Sequence, residues 1–401
     1  MYIKKEFPEA GRWNLDGSTG WFVAFIRNVL YKYDTQKNML SIVSFIPTKN
    51  EDPYQYVSCV KKGDQIYCFP EYESSIWCYD VISEQWKKIS ICESDDIPAM
   101  IFLLGEYSGV CYFFSCTYKT LYGFDLQAGK VIESYLLDVE VTCKYYIHGI
   151  ISDGKVYLVL GGTSLYEFDL ETHIQKEYIF PDFGDILFRI EADGDTFWII
   201  GKKQCVYRWK KGNDEIRVLM EFPKEISLYD YEKKMKITEF DCNAKGLFVF
   251  NSIHCLNGKI WIIPMSASKI VYFAKDDMVI KVFDISEDEE TERTLDLRYR
   301  RVAAKYALMY IRQERYLGIY SCRNKQIFEI DTSEMTYQTI HYDMDQYSLA
   351  HIPIQEFYDG QNELMDMIFS AKINHFEAIS DCIERKVVGQ IIHKEILEQT
   401  V

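Results

Sequence analysis

Seven histidines, twelve cysteines and 61 carboxylates are the groups in this 401-residue chain that could hold a metal or move a proton. A metal site built on one element needs such groups at fixed short spacings, as in H-x-H, H-E-x-x-H or C-x-x-C. No such pair occurs among His148, His173, His254, His341, His351, His375 and His393 or among the cysteines, so the sequence offers no metal motif and implies no cofactor. Ligands converging from separate elements stay open as an alternative. No G-x-S-x-G elbow supports covalent catalysis. Gly161-Gly162 lies between two strand-like runs and reads as a turn rather than a phosphate cradle. Glu191, Asp193 and Asp195 read as carboxylates of a solvated turn.

The elements that must position any chemistry follow from composition. Forty-five basic against 61 acidic side chains leave a net charge of −16, which argues against a nucleic acid or an anionic membrane as partner. Hydrophobic residues at 48% and aromatics at 15% supply a large core and exclude global disorder. The cysteines sit singly inside apolar runs such as Trp77-Cys78-Tyr79, the pattern of small buried thiols. Neither a signal peptide at Met1–Phe7 nor a window of ~20 apolar residues is present, so the expected compartment is a reduced cytoplasm.

A repeat organises the chain. An apolar strand after a polar turn, a strand ending in an aromatic and Asp, and a third strand recur from Lys144–Pro181 in both directions. Copies include Ile66–Pro70 with Ile76–Asp80, Val110–Phe113 with Leu121–Asp125, Phe197–Ile200 with Val206–Trp209, and Ile260–Ile263 with Val271–Phe273; weaker ones carry Trp21–Phe25 and Leu317–Tyr320. The aromatic-x-Asp position falls at 34, 80, 125, 169 and 331, with counterparts near 210 and 275. Charged inserts around Lys224–Lys236 and Ser286–Arg301 coincide with the two stretched intervals. Each copy supplies about four short strands rich in Tyr, Ile, Val and Trp, which predicts antiparallel sheets. One such sheet cannot cover both apolar faces. Radial stacking does so and removes most exposed edges. The predicted fold is therefore all-β, a β-propeller of about seven four-stranded blades, with six and eight as alternatives.

The unit resembles a kelch-type propeller blade, in which a strand ending in Gly-Gly precedes one with an aromatic-Asp ending, then Trp and often Pro. Gly161-Gly162, Tyr79-Asp80, Trp86 and Pro47, Pro98, Pro181 and Pro223 match, although one copy alone keeps the doublet and one the Trp. The resemblance covers roughly residues 10 to 345 and implies a protein-binding scaffold.

The domain expectation is a propeller over 1–345 and a linker with amphipathic helices over 346–401. Tyr2–Pro8 and Met335–Tyr342 compete for the outermost strand of the last blade. Leu364, Met365, Ile368 and Phe369 open the tail's apolar stripe, which packs on the rim or docks another chain. A ligand site is expected where the innermost strands converge, at one mouth of the channel. The residues that break the apolar habit there are His148, Arg189, His254 and Arg312, read either as hydrogen-bonded channel residues or as a positive funnel for a carboxylate. The leading functional expectation is a non-enzymatic propeller for a protein or peptide. The alternative is a carbohydrate-active or carbohydrate-binding propeller for an acidic sugar, with Arg189 or Arg312 on the carboxylate and His148 or His254 as proton carrier.

Overall fold

A computed structural model describes residues 14–345, except 25–27, 49–54, 72, 92–99, 143–146, 181–184, 202–204, 214–215, 220–227, 231–234, 238–249, 265–268, 278, 286–305 and 322–325. The possible clasp at 2–8 and the tail at 346–401 therefore lie outside the described residues. What is described is all strand and turn, with no helix. No helix among these residues is long and apolar enough to cross a membrane.

Seven four-stranded sheets follow one another along the chain: blade 1 (Asn14–Phe45), blade 2 (Tyr56–Ser90), blade 3 (Ile101–Leu136), blade 4 (Ile147–Ile179), blade 5 (Leu187–Leu219), blade 6 (Phe250–Phe283) and blade 7 (Tyr306–Ile340). Within each blade the strands pair antiparallel in sequence order. The second and third strands are buried on both faces and the fourth carries exposed residues, as in Lys155–Leu160 against Gln175–Ile179. That gradient runs from covered interior to wet outer edge, and it explains why VYLVL and FWIIG are continuously apolar without being helices.

The core is divided into seven apolar clusters, and each joins two consecutive blades. Trp21, Val23 and Leu30 pack with Ile66, Cys68 and Tyr79 between blades 1 and 2. Phe188, Trp198 and Ile200 pack with Ile260, Val271 and Phe273 between blades 5 and 6. The last cluster decides the architecture, because Met309, Tyr310 and Ile327 of blade 7 pack with Phe22, Tyr31 and Tyr33 of blade 1. The sheets close into a ring of seven. First strands of successive blades meet: the Ile190 amide donates to His148 Nδ1 at 3.4 Å, and the Cys255 amide to Glu191 Oε1 at 3.4 Å.

Thr336–Ile340 forms the fourth strand of blade 7. The chain then crosses to blade 1, where Asp343-Met344 runs parallel to Met39-Leu40; the Asp343 amide donates to the Asn38 carbonyl at 2.8 Å. Met344 is buried in the closing cluster. The first charged insert carries a separate hairpin, Leu228–Asp230 with Met235–Ile237; residues 286–305 of the second lie outside the described set.

The repeating aspartates are structural. Asp34, Asp80, Asp125, Asp169 and Asp331 each accept the amides two and three residues on with one carboxylate oxygen, at 2.7–3.2 Å. These bonds favour the ionised form. The Ser83 amide holds Asp80 below the usual carboxylate range, and the Thr172 amide does so for Asp169. Asp331 is lowered to about 2, chiefly by the Arg315 guanidinium, whose Nε and Nη2 lie 2.9 and 2.6 Å from its two oxygens. A carboxyl whose folded pKa is depressed adds stability that is complete above its unfolded pKa of 3.8 and is lost as pH falls through about 2. The melting-temperature gap between the wild type and Asp331→Asn is thus expected to close between pH 5 and pH 2. A gap that stays constant over that range contradicts the assignment.

The seven described cysteines are free thiols, four of them buried. Burial pushes Cys59 and Cys111 up to about 12, which leaves them protonated and inert.

Candidate functional site

One row of residues recurs across blades 1 to 6 and faces the next blade. Its second-strand member is Trp21, Tyr67, Tyr112, Tyr157, Trp198 and Trp261 in blades 1 to 6, each buried. The opposing third-strand residues are Lys32, Cys78, Gly123, Glu167, Arg208 and Tyr272. A ring at this register plugs the wedge between blades. Tyr157 meets Phe197 at 4.5 Å and Trp198 meets Phe273 at 5.2 Å, each across an interface. Where a carboxylate enters the row it takes a phenol. Tyr112 reaches over Gly123 to Glu133 at 2.6 Å, and Tyr178 donates to Glu167 at 2.9 Å beside Lys155 at 2.5 Å.

Blade 7 breaks the pattern. Its second strand has Gly318 at the plug position, opposite Glu329. The ring comes from the first strand instead, where Tyr310 pairs with Gly318 and covers it so closely that a Cβ there would collide with the phenol. Tyr310 Oη donates to Glu329 at 2.9 Å. Tyr–Gly–Glu in blade 7 is thus the Tyr112–Gly123–Glu133 arrangement moved one strand toward the axis. Gly318→Ala is expected to cost about 1–3 kcal/mol through overpacking. A denaturant midpoint equal to that of the wild type would show that Tyr310 can step aside.

Tyr310 also lines a cleft of about 860 Å³ between blades 7 and 1. Turns of blade 1 contribute Ser18, Thr35, Gln36 and Asn38, and blade 7 contributes Arg312, Gln313, Glu329 and Gln338. Glu329 is 7% exposed and is held on every side. Arg312 Nη2 lies 2.8 Å from both its oxygens, Gln338 Nε2 donates to Oε1 at 3.0 Å, and Tyr310 takes Oε2. The Arg312 guanidinium also lies 4.5 Å over the Tyr316 ring. Tyr33 donates to Asn38 Oδ1 at 3.0 Å, and burial, then Glu329, raises its hydroxyl pKa far above the ordinary value. The lining offers carboxamides and hydroxyls around one internally matched ion pair.

All four residues singled out from sequence lie on first strands, in blades 4 to 7. His148 and Arg189 stand at equivalent levels, opposite Val159 and Ile200. Arg189 folds back on its neighbour, 3.9 Å over the Phe188 ring with Nη1 donating to the Phe188 carbonyl at 3.0 Å, and burial lowers its pKa to about 10. His254 stands nearer the turn, opposite Trp261, and is buried. Arg312 alone lines the cleft. Glu191 and Asp193 also depart from the solvated-turn reading. Their strand runs to Asp193, and both meet blade 6, through the Cys255 amide and through Lys275 at 2.5 Å. Among the described residues no group of His, Cys, Asp and Glu is placed to hold a metal ion.

No protein family's sequence pattern matches this chain, and no curated protein matches it either. Among solved structures it is similar to the computationally designed Ika8 protein, at 8% identity over 84% of this chain and 87% of that one, with a TM-score of 0.51. BamB from Moraxella catarrhalis overlaps at 10% identity over 79% of this chain and 82% of its own, with a TM-score of 0.47. The likeness to the designed protein is one of fold, and nothing about ligands passes across it. The chain is a seven-bladed β-propeller.

Sequence reasoning missed Gly318, Tyr310 and Glu329. The signal was present: the third residue of the second strand is aromatic in six copies and glycine in YLGIYS.

Proposed function

We propose that this propeller is a binding scaffold of kelch type, without catalytic turnover, that receives a protein or peptide segment in the cleft between blades 7 and 1. The observation that carries the reading is the cleft itself, which the turns of blade 1 and the first strand of blade 7 line with amides and hydroxyls. Carboxamides complement a peptide's own donors and acceptors. An acidic sugar is less well served. Tyr33 and Tyr310 are 1% and 3% exposed and offer no ring face for stacking, and the Arg312 guanidinium already serves Glu329. The kelch reading draws on the aromatic-Asp turns and on Trp86, whose Nε1 donates to Ser44 of blade 1 at 2.9 Å.

Thermal unfolding against panels of peptides, neutral sugars and acidic sugars tests the proposal, since a ligand at a hundred times its dissociation constant adds ~2.7 kcal/mol. A saturable shift with peptides supports it. A shift with an acidic sugar alone would replace it by the carbohydrate reading.

A further inference from the structure

Resting on that reading, we infer that the cleft between blades 7 and 1 takes an uncharged stretch of polypeptide and that Arg312 is a positioning residue for Glu329 rather than a receptor for a ligand anion. The inference comes from how the charges at the cleft are spent. Glu329 accepts from Tyr310, Arg312 and Gln338 and is almost wholly covered. A ligand carboxylate that drew Arg312 away would leave this carboxylate buried without its countercharge, a strongly unfavourable exchange. A ligand ammonium or guanidinium meets the converse obstacle, because the one carboxylate lining the cleft is already matched.

The groups left to define a ligand are neutral. Gln36 and Gln313 are exposed at the mouth, and Ser18, Thr35 and Asn38 line the blade 1 side, where the Thr35 hydroxyl already donates to the Ser18 carbonyl and Asn38 Oδ1 accepts from Tyr33. Carboxamide and hydroxyl groups recognise main-chain amides and the side chains of Ser, Thr, Asn and Gln. A neutral sugar presents hydroxyls of the same kind, but the Tyr316 ring beside the cleft is occupied by Arg312 and Arg315, at 4.5 and 5.2 Å. The rings that do line the cleft, Tyr33 and Tyr310, are buried and give a sugar no stacking platform.

The test passes a random library of ten-residue peptides over the immobilised full-length protein and sequences the retained fraction by mass spectrometry. A parallel arm uses Gln36→Trp, whose side chain blocks the mouth while its backbone amide keeps its bond to Asp34. We expect peptides retained by the wild type to be depleted at least about twofold in Asp, Glu, Lys and Arg, to lose enrichment on the variant, and to keep affinity within about twofold between 50 and 500 mM salt, as neutral contacts should. Retained peptides rich in charge, or an affinity that collapses with salt, would overturn the inference while leaving a peptide-binding cleft in place. Competition by a neutral maltooligosaccharide but by no peptide would also overturn it. Retention equal on wild type and variant, or no enrichment, would remove the proposed binding site itself.

Discussion

Trp198→Ala is expected to lower the stability of the ring by about 3–5 kcal/mol. The indole is 1% exposed, meets Phe273 of blade 6 edge-on at 5.2 Å, and supports the Arg208 guanidinium 5.7 Å above its ring. Neighbouring strands are tied into their own sheets, so they cannot collapse into the space, and the cavity term adds to the lost burial. Trp198→Phe keeps most of the volume and should recover more than half of the loss. Urea unfolding followed by tryptophan-independent circular dichroism measures both. A Trp198→Ala midpoint within error of the wild type would mean that the wedge between blades 5 and 6 is not closed by this ring.

The second large effect is at the seam. Arg312→Met is expected to destabilise the protein by about 3 kcal/mol, at the low end for a broken buried pair because the guanidinium is 33% exposed. The cost comes from Glu329, which keeps its cover but loses its cation. Adding Glu329→Gln should restore most of the loss, since a carboxamide can still accept from Tyr310 without a buried charge. If Arg312→Met alone costs less than about 0.5 kcal/mol, the pair behaves as a surface ion pair and the matched-charge account of the cleft fails.

Much of the fold was legible because the repeat imposes one rule on every copy. Strand, turn and aromatic-Asp ending alternate with a short period, and the Asp does the same job in each turn, so five carboxylates found by register at 34, 80, 125, 169 and 331 make the same two amide contacts. Placement on first strands was equally readable for His148, Arg189 and His254, whose strands end at the turn glycines Gly154, Gly194 and Gly258, and for Arg312 by the repeat alone. What the four side chains touch was not readable. Arg189 turns onto Phe188, and Arg312 is drawn across Gly318 to a partner 17 residues later, an arrangement that depends on register rather than proximity in sequence. The cleft was hidden for a related reason. Its lining comes from turns far apart in sequence, at residues 17–18, 35–38 and 312–313, which only the closed ring brings together.

Beside the apolar cluster of blades 7 and 1, the backbone part of ring closure is a rung of two residues. Asp343-Met344 lies beside Met39-Leu40 in the same direction, whereas every other strand pairing among the described residues is antiparallel and most run five or six residue pairs. Tension applied between the first and last blades would therefore meet its weakest weld there. Met344 sits in that weld, and the circle would part beside the cleft that a bound peptide could bridge. In mechanical terms, the guest would act as a rivet.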